Sequence, residues 1–105
     1  MKYRIIMTLL AIIFSLTSNA YADPVEDAFK LCAVMDGSGV LSSECKVKSK
    51  TVELSIDTTG IEAKKMCTGI VDMSAKYGLR FDSRWKIRIY SPFSGDNSLA
   101  VCTLK

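Results

Sequence analysis

The stretch TGIEAKKMCTGIVDMSAKYG, from Thr59 to Gly78, predicts the helix on which the rest of the fold depends. Thr59 stands three residues before Glu62, which is the spacing of a capping box, and Gly78 is a residue type that commonly ends a helix. A helix of about eighteen residues is about 27 Å long. Its apolar stripe is expected to face the core. That stripe consists of Ala63, Met66, Cys67, Ile70, Met73, Ser74 and Tyr77.

Strands are predicted on both sides of this helix. Apolar residues recur there at every second position, which is typical of a strand with one buried face. These residues are Val52, Leu54 and Ile56 before the helix and Trp85, Ile87 and Ile89 after it. Further upstream, Cys45 and Val47 alternate in the opposite phase, so a bulge or a tight hairpin must absorb one residue near positions 49–51. The sequence leaves both alternatives open.

A second helix is predicted at Asp23-Pro24-Val25-Glu26, which offers an N-cap oxygen, a proline at the first helical position and an acid at the third. Gly37 is predicted to end this helix, and residues 36–39 are predicted to form a turn. The apolar positions recur at intervals of three or four residues, so they are expected to form one buried face. They are Val25, Ala28, Phe29, Cys32 and Met35.

A turn-rich loop over residues 91–98 and a strand from Leu99 to Leu104 complete the chain. The facing of this last strand decides whether Cys102 can reach Cys67. For that bridge to form, the alternating set Ala100, Cys102 and Leu104 must point towards the helices. A slip of one residue would break the bridge, because it moves every side chain to the other face.

The predicted fold class is α+β, an α/β two-layer sandwich with the order helix, strand, helix, strand, strand. A small sheet of three to four strands is expected to pack against two helices. Two strand orders remain open. If the first two main strands are neighbours, the intervening helix makes a right-handed crossover, whereas a last strand lying between them makes all pairings antiparallel.

Residues 1–22 are predicted to be a cleavable signal peptide. Lys2 and Arg4 precede an apolar run over residues 5–16, and Ala20 and Ala22 offer the small residues that a signal peptidase needs. The run is too short for a bilayer of about 30 Å, so no stable membrane anchor is expected after signal cleavage. A single domain, residues 23–105, is expected to remain, in a periplasmic or secreted location.

Signal cleavage changes the charge argument. It removes two of the fourteen basic residues and none of the eleven acidic ones, which lowers the net charge from +3 to +1. A mature chain that is nearly neutral lacks the basic surplus that binding to a phosphate backbone requires. The sequence therefore predicts no nucleic-acid partner.

Four cysteines, Cys32, Cys45, Cys67 and Cys102, predict two disulfides in a small exported domain. Three connectivities exist, and we favour Cys32 with Cys45 and Cys67 with Cys102 while the others stay open. In the loop-entropy model these bridges contribute about 3 kcal/mol and somewhat under about 4 kcal/mol. None of the spacings matches a Cys-x-x-Cys redox pair or a zinc knuckle.

The sequence contains no histidine, so it lacks the most common general base and metal ligand. The carboxylates are scattered, and several have roles in caps and turns. Met35, Met66 and Met73 with Trp85 could suggest a thioether copper site, but methionine on an apolar stripe is ordinarily a core residue. We therefore predict no catalytic residues, no metal and no cofactor.

The candidate partner-binding residues lie on predicted strands and in the loop between the last two. Lysines on exposed strands can also serve only to prevent association of sheet edges, and an aromatic loop residue can also fold back onto the core. Lys46, Lys48 and Lys50 are predicted to form one basic row, and the other candidates are Lys86, Arg88, Tyr90, Phe93 and Asp96.

The leading hypothesis is an exported, non-enzymatic module that binds a protein partner of unknown identity through the sheet face and the 91–98 loop. An inhibitor or immunity-type factor fits the size and location. One alternative is a structural or self-assembling component of an envelope complex, a homo-oligomer that adds strands at an open sheet edge. Another is a small envelope hydrolase that depends on carboxylates.

Overall fold

The computed structural model describes residues 23–105, and the predicted signal peptide and its cleavage point lie outside the described residues. Two helices and a four-stranded mixed sheet pack together, which confirms the α+β fold. The sheet order is β1-β2-β3-β4. The elements are α1 (Pro24–Ser38), β1 (Lys46–Lys48), β2 (Thr51–Ser55), α2 (Gly60–Lys76), β3 (Lys86–Tyr90) and β4 (Ala100–Thr103).

Helix α2 begins and ends at the predicted signals. The Thr59 hydroxyl accepts a hydrogen bond from the Glu62 N–H at 3.3 Å. At the other end Gly78 has φ 78°, and the N–H groups of Gly78 and Leu79 donate to the carbonyls of Ala75 and Ser74, which is a Schellman motif. This pairing satisfies two carbonyls that the end of the helix would otherwise leave unpaired.

The predicted apolar stripe of α2 is largely confirmed. Ala63, Cys67, Ile70 and Ser74 are buried, and the two methionines are partly buried. Tyr77 is the exception, because it is the C-cap residue and is 63% exposed.

Helix α1 corrects the sequence prediction at its end and on its buried face. Gly37 does not end the helix, which continues through that residue to Ser38 and ends at Gly39 with φ 77°, so no separate turn forms over residues 36–39. Val25 and Phe29 are exposed. The residues of α1 that are buried are Asp27, Ala28, Leu31, Cys32 and Met35.

The buried Asp27 gives the physical reason for this rotation of the α1 face. Its carboxylate accepts a hydrogen bond from the Arg80 N–H at 2.9 Å, so the segment before β3 is tied to the helix. A buried carboxylate is tolerated where its oxygens are hydrogen-bonded. The hydrogen bond to this segment therefore holds Asp27 inward, and the exposed Phe29 lies at a groove that Val47 and Trp85 also line.

The break in alternation before β2 is a tight hairpin and not a bulge. Val47 of β1 pairs with Val52 of β2, and Lys48 pairs with Thr51. Ser49 and Lys50 form the two-residue turn with φ values of 50° and 59°. Positive φ at both central positions is the type I′ pattern, whose twist matches that of the flanking strands.

The strand order is also settled. Strands β2 and β3 are parallel neighbours, with Thr51 opposite Lys86 and Ser55 opposite Tyr90. Parallel neighbours need a crossover connection, and α2 lies within it. The other order, with the last strand between them and all pairings antiparallel, is excluded.

Strand β4 has the predicted facing. Ala100 and Leu104 are buried, whereas Val101 between them in the alternation is 47% exposed. Ile87 of β3 lies opposite Cys102 of β4. The strand therefore presents Cys102 to α2.

Both favoured disulfides are present. Cys32 of α1 bonds to Cys45, with the Cα atoms 5.3 Å apart, and Cys67 of α2 bonds to Cys102, with the Cα atoms 6.1 Å apart. Each bridge therefore joins one helix to the sheet layer, the first just before β1 and the second within β4. Two disulfides fit an extracellular or secreted protein.

Candidate protein-binding face

The two helices cover one face of the sheet, which we call the closed face. Along β2 the burial alternates, with Val52 and Leu54 buried and Thr51, Glu53 and Ser55 partly exposed. Within residues 23–105 no helix lies over the second face, the open face. The open face consists of Lys46, Lys48, Thr51, Glu53, Ser55, Lys86, Arg88, Tyr90, Val101 and Thr103.

The strand register joins the two predicted basic groups into one surface. Lys46, Glu53 and Arg88 follow one another across β1, β2 and β3, and Lys48, Thr51 and Lys86 form the row beside them. Neighbouring strands are about 4.8 Å apart, so the four cations lie within a few strand spacings of each other. They surround one carboxylate, that of Glu53.

Lys50 does not belong to this surface, which corrects the predicted row of three lysines. It lies in the β1–β2 turn, where its carbonyl accepts a hydrogen bond from the Lys86 N–H at 3.1 Å.

The cations of the open face make no ion pair within 4.0 Å among the described residues. The three ion pairs found there lie elsewhere. Their partners are Lys30 with Asp27, Lys65 with Glu62 and Arg84 with Asp82. In this part of the chain no ion pair therefore holds the four cations, although Glu53 lies between Lys46 and Arg88 in the register.

The pKa of Tyr90 depends on charged neighbours on this surface. Desolvation and then the neighbouring Glu53 carboxylate raise the pKa of its phenol above the ordinary value, while Arg88 acts in the opposite direction. The phenol therefore stays protonated at neutral pH and offers both a donor and an acceptor to a partner.

The 91–98 loop begins one residue after Tyr90 and is held by its own hydrogen bonds. The Ser91 N–H donates to the Ser94 hydroxyl at 3.0 Å, and the Phe93 N–H donates to the Ser91 hydroxyl at 3.1 Å. Phe93 is 85% exposed, so its ring does not fold back onto the core. The loop therefore presents an aromatic ring on a backbone that is held by local contacts.

A groove of about 310 Å³ lies between the open face and this loop. Three predicted residues, Lys46, Tyr90 and Asp96, line it together, whereas Phe93 does not. Sequence reasoning missed Glu44 and Glu53, which also line the groove. The alternation of Glu53 with Val52 and Leu54 was a signal for its place on the open face, but its neighbours follow only from the strand order.

The methionines considered for copper lie together on the helical side. Met35, Met66 and Met73 line an apolar cleft of about 240 Å³. Met66 and Met73 are seven residues apart on one helix, which is about 10.5 Å along its axis. Trp85 lies elsewhere, with its ring 5.7 Å from that of Phe81.

No group of three or more His, Cys, Asp and Glu side chains within residues 23–105 could hold a metal ion. In the same part of the chain, no helix is long and apolar enough to cross a membrane.

Comparison of the chain with protein-family models, with curated proteins and with solved structures gives no match. The open face and the 91–98 loop are therefore the features of the molecule that bear on its function.

Proposed function

We propose that the protein is an exported, non-enzymatic binding module that engages an acidic surface of a protein partner through its open face and the 91–98 loop. The observation that supports this most strongly is the position of Lys86 and Arg88. Both lie on β3, which has a neighbouring strand on each side. Lysines that protect a sheet from association are needed at edges. Edge protection accounts for Lys46 and Lys48 on β1, but not for the cations of β3.

The four cations favour an acidic partner on this surface. Unpaired cations steer an acidic partner towards the open face and set its orientation. Phe93, an exposed aromatic residue in the loop that follows Tyr90, is typical of the residues that anchor protein interfaces. Phe93 follows Tyr90 by three residues, so the anchor and the charged surface are joined by a short piece of chain.

The proposed location is the periplasm. The two disulfides support an oxidising compartment, and the apolar run after Lys2 and Arg4 supports export. More specifically, we propose that the protein acts as an inhibitor or an immunity-type factor. A small domain that is cross-linked twice and has a ready-made binding surface loses little conformational freedom when it binds.

The test is capture of partners from envelope extract by the protein purified from a bacterial periplasm with both disulfides formed, with mass spectrometry as the readout. The test variant is Lys86→Glu with Arg88→Glu. The control is Lys64→Glu with Lys76→Glu, which makes the same charge change on exposed positions of α2.

The control variant should capture the same partner as the unmodified protein, whereas the open-face variant should capture at least about tenfold less, because each mispaired charge at an interface costs kilocalories. Equal capture by both variants would refute the role of the open face. A second variant, Phe93→Ala, should weaken capture without changing its salt dependence, since it removes apolar contact and no charge.

A further inference from the structure

The two edges of the sheet differ in charge. Edge strand β1 carries Lys46 and Lys48, which hinder the approach of a second β1. Edge strand β4, Ala100-Val101-Cys102-Thr103, carries no charged residue. Its two outward side chains on the open face, Val101 and Thr103, are both exposed and β-branched, and β-branched residues are common in paired strands.

The backbone of β4 has hydrogen-bonding groups that face away from β3. The Leu104 N–H donates to the Trp85 carbonyl at 2.9 Å, and Cys102 lies opposite Ile87. In an antiparallel pair every second residue bonds across the pair. Leu104, Cys102 and Ala100 therefore bond towards β3, whereas the N–H and C=O groups of Val101 and Thr103 point outward. Within residues 23–105 no strand lies on that side of β4.

This free edge has a defined length. Before Ala100 the chain forms turns and bends and is not a strand. Beyond Thr103 the Lys105 carbonyl accepts a hydrogen bond from the Phe81 N–H at 3.0 Å. The outward-facing groups of β4 are therefore those of two residues, placed symmetrically about Cys102.

We propose that two copies of the chain pair antiparallel through β4, about a two-fold axis at Cys102. Val101 then lies opposite Thr103 of the partner subunit, and Thr103 lies opposite Val101 of the partner subunit. These two pairs bring all the outward N–H and C=O groups of both strands into four hydrogen bonds. The two sheets become one sheet of eight strands, and the two open faces continue across the axis.

Charge selects this pairing over the other edge combinations. Two β1 strands paired antiparallel about Val47 would place Lys46 opposite Lys48 of the partner subunit, and like charges directly opposite are destabilising. A β1 strand paired with β4 would leave a free edge at each end and would generate an open chain of subunits. Pairing of β4 with β4 is closed and places no charge opposite another.

The cations of β3 do not oppose this arrangement. In the row that contains Val101, Arg88 is separated from Lys86 of the partner subunit by three strand spacings, about 14 Å. This exceeds the Debye length of about 8 Å at physiological ionic strength, so the repulsion is largely screened. Lower salt should weaken the dimer.

The contact is short, so it belongs to the weak class of interfaces that form at high local concentration. Sedimentation of the oxidised protein, purified from a bacterial periplasm, should therefore show a monomer at about 10 µM and a growing dimer fraction towards about 1 mM. Hydrogen exchange over the same range should show slower exchange of the Val101 and Thr103 amides as concentration rises. The Cys102 amide, which already bonds to β3, should exchange slowly throughout.

Two variants and one control complete the test. Val101→Pro removes an outward N–H, and proline is tolerated at an edge position whose N–H is unpaired, so the monomer should stay folded. Val101→Lys places lysines at the new strand pair. Both should shift dimerisation to at least about tenfold higher concentration, by loss of hydrogen bonds or by repulsion. Val40→Lys is the control, because Val40 is 44% exposed and Val101 is 47% exposed.

A monomer at about 1 mM would overturn the proposal, and so would a dimer whose Val101 and Thr103 amides exchange as fast as in the monomer. Protection of these amides only after addition of envelope extract would also overturn it, because the edge would then accept a strand from another protein. The result is separable from the proposed function. Lys86→Glu with Arg88→Glu should keep the dimer, and Val101→Pro should keep partner capture at about 10 µM.

Discussion

The closed and open faces are built from alternate residues of the same strands, but they differ in what fixes each residue. On the closed face Val52, Leu54, Ile87 and Ile89 are buried under two helices that disulfides tie to the sheet layer. On the open face the four cations make no ion pair within 4.0 Å among the described residues. The fold requires the first set, whereas within residues 23–105 neither an ion pair nor a sheet edge accounts for Lys86 and Arg88 in the second. Charge that folding does not need is the better indicator of a partner.

The largest expected effect comes from removing one of the two disulfides that join the helices to the sheet layer. Cys67→Ala with Cys102→Ala opens a bridge that spans 35 residues, and Cys32→Ala with Cys45→Ala opens one that spans 13. In the loop-entropy model the losses of unfolding free energy are about 4 and about 3 kcal/mol. Urea titrations of the two double variants under non-reducing conditions measure this. A smaller loss for the longer bridge would contradict the model.

The next effect tests the buried carboxylate of α1. Asp27→Ala removes a buried carboxylate and leaves the partly buried Arg80 N–H without its acceptor, so it should lower the free energy of unfolding by about 2 kcal/mol. Asp36→Ala is the matched control. Its carboxylate accepts from the Cys45 N–H at 2.9 Å, but Asp36 is exposed and the disulfide still holds Cys45. Equal losses from both would show that burial of Asp27 adds nothing.

A smaller change in stability is expected from the turn of the β1–β2 hairpin. Ser49 and Lys50 hold positive φ without being glycine. Ser49→Asn with Lys50→Gly supplies the residues that favour a type I′ turn and should raise the free energy of unfolding by under about 1 kcal/mol. The reversed pair, Ser49→Gly with Lys50→Asn, gives the same composition and is expected to stabilise less. Thermal unfolding of both variants compares them.

Charge reversal on the open face should cost little stability. Lys86→Glu with Arg88→Glu alters exposed or half-buried groups without ion pairs. Position 88 lies opposite Glu53 in the register of β2 and β3, so like-charge repulsion should lower the free energy of unfolding, but by less than about 1 kcal/mol. Capture of the partner is nevertheless expected to fall. A loss of stability as large as that of Asp27→Ala would mean that the open face serves the fold.

Sequence reasoning reached the elements more easily than their mutual arrangement. The cap of α2 followed from residues close in sequence, whereas the facing of β4 and the pairing of Cys67 with Cys102 were chosen together, because the bridge requires that facing. The sequence did not decide between a bulge and a hairpin before β2, and it did not decide between the two strand orders. In each case both alternatives place the same apolar residues in the core. Asp27 escaped notice because an acid in the first turn of a helix is ordinarily a surface residue.

The candidate site was predictable as a list of residues and not as a surface. Lys86, Arg88 and Tyr90 alternate along one strand, so a common side was evident from the sequence. That Lys46 and Lys48 join them, and that Glu53 lies between the two groups, follows only from the parallel register of β2 and β3. Long-range pairing carries no local signal, and this part of the site therefore needed the structure.

The smallest expected effect is a shift in the titration of Tyr90. Desolvation and the Glu53 carboxylate raise the pKa of this phenol in the folded state. The neutral form is therefore favoured by folding, and its contribution to stability is present below the unfolded pKa of about 10 and is lost as pH rises through the folded pKa.

Glu53→Gln should lower the pKa of Tyr90, and Arg88→Gln should raise it further. Residues 23–105 contain a single tyrosine in the Tyr77→Phe background, so tyrosinate absorbance against pH reports it directly. Opposite shifts would show that the open face behaves as one electrostatic unit, and an unchanged pKa in both variants would mean that burial alone sets it.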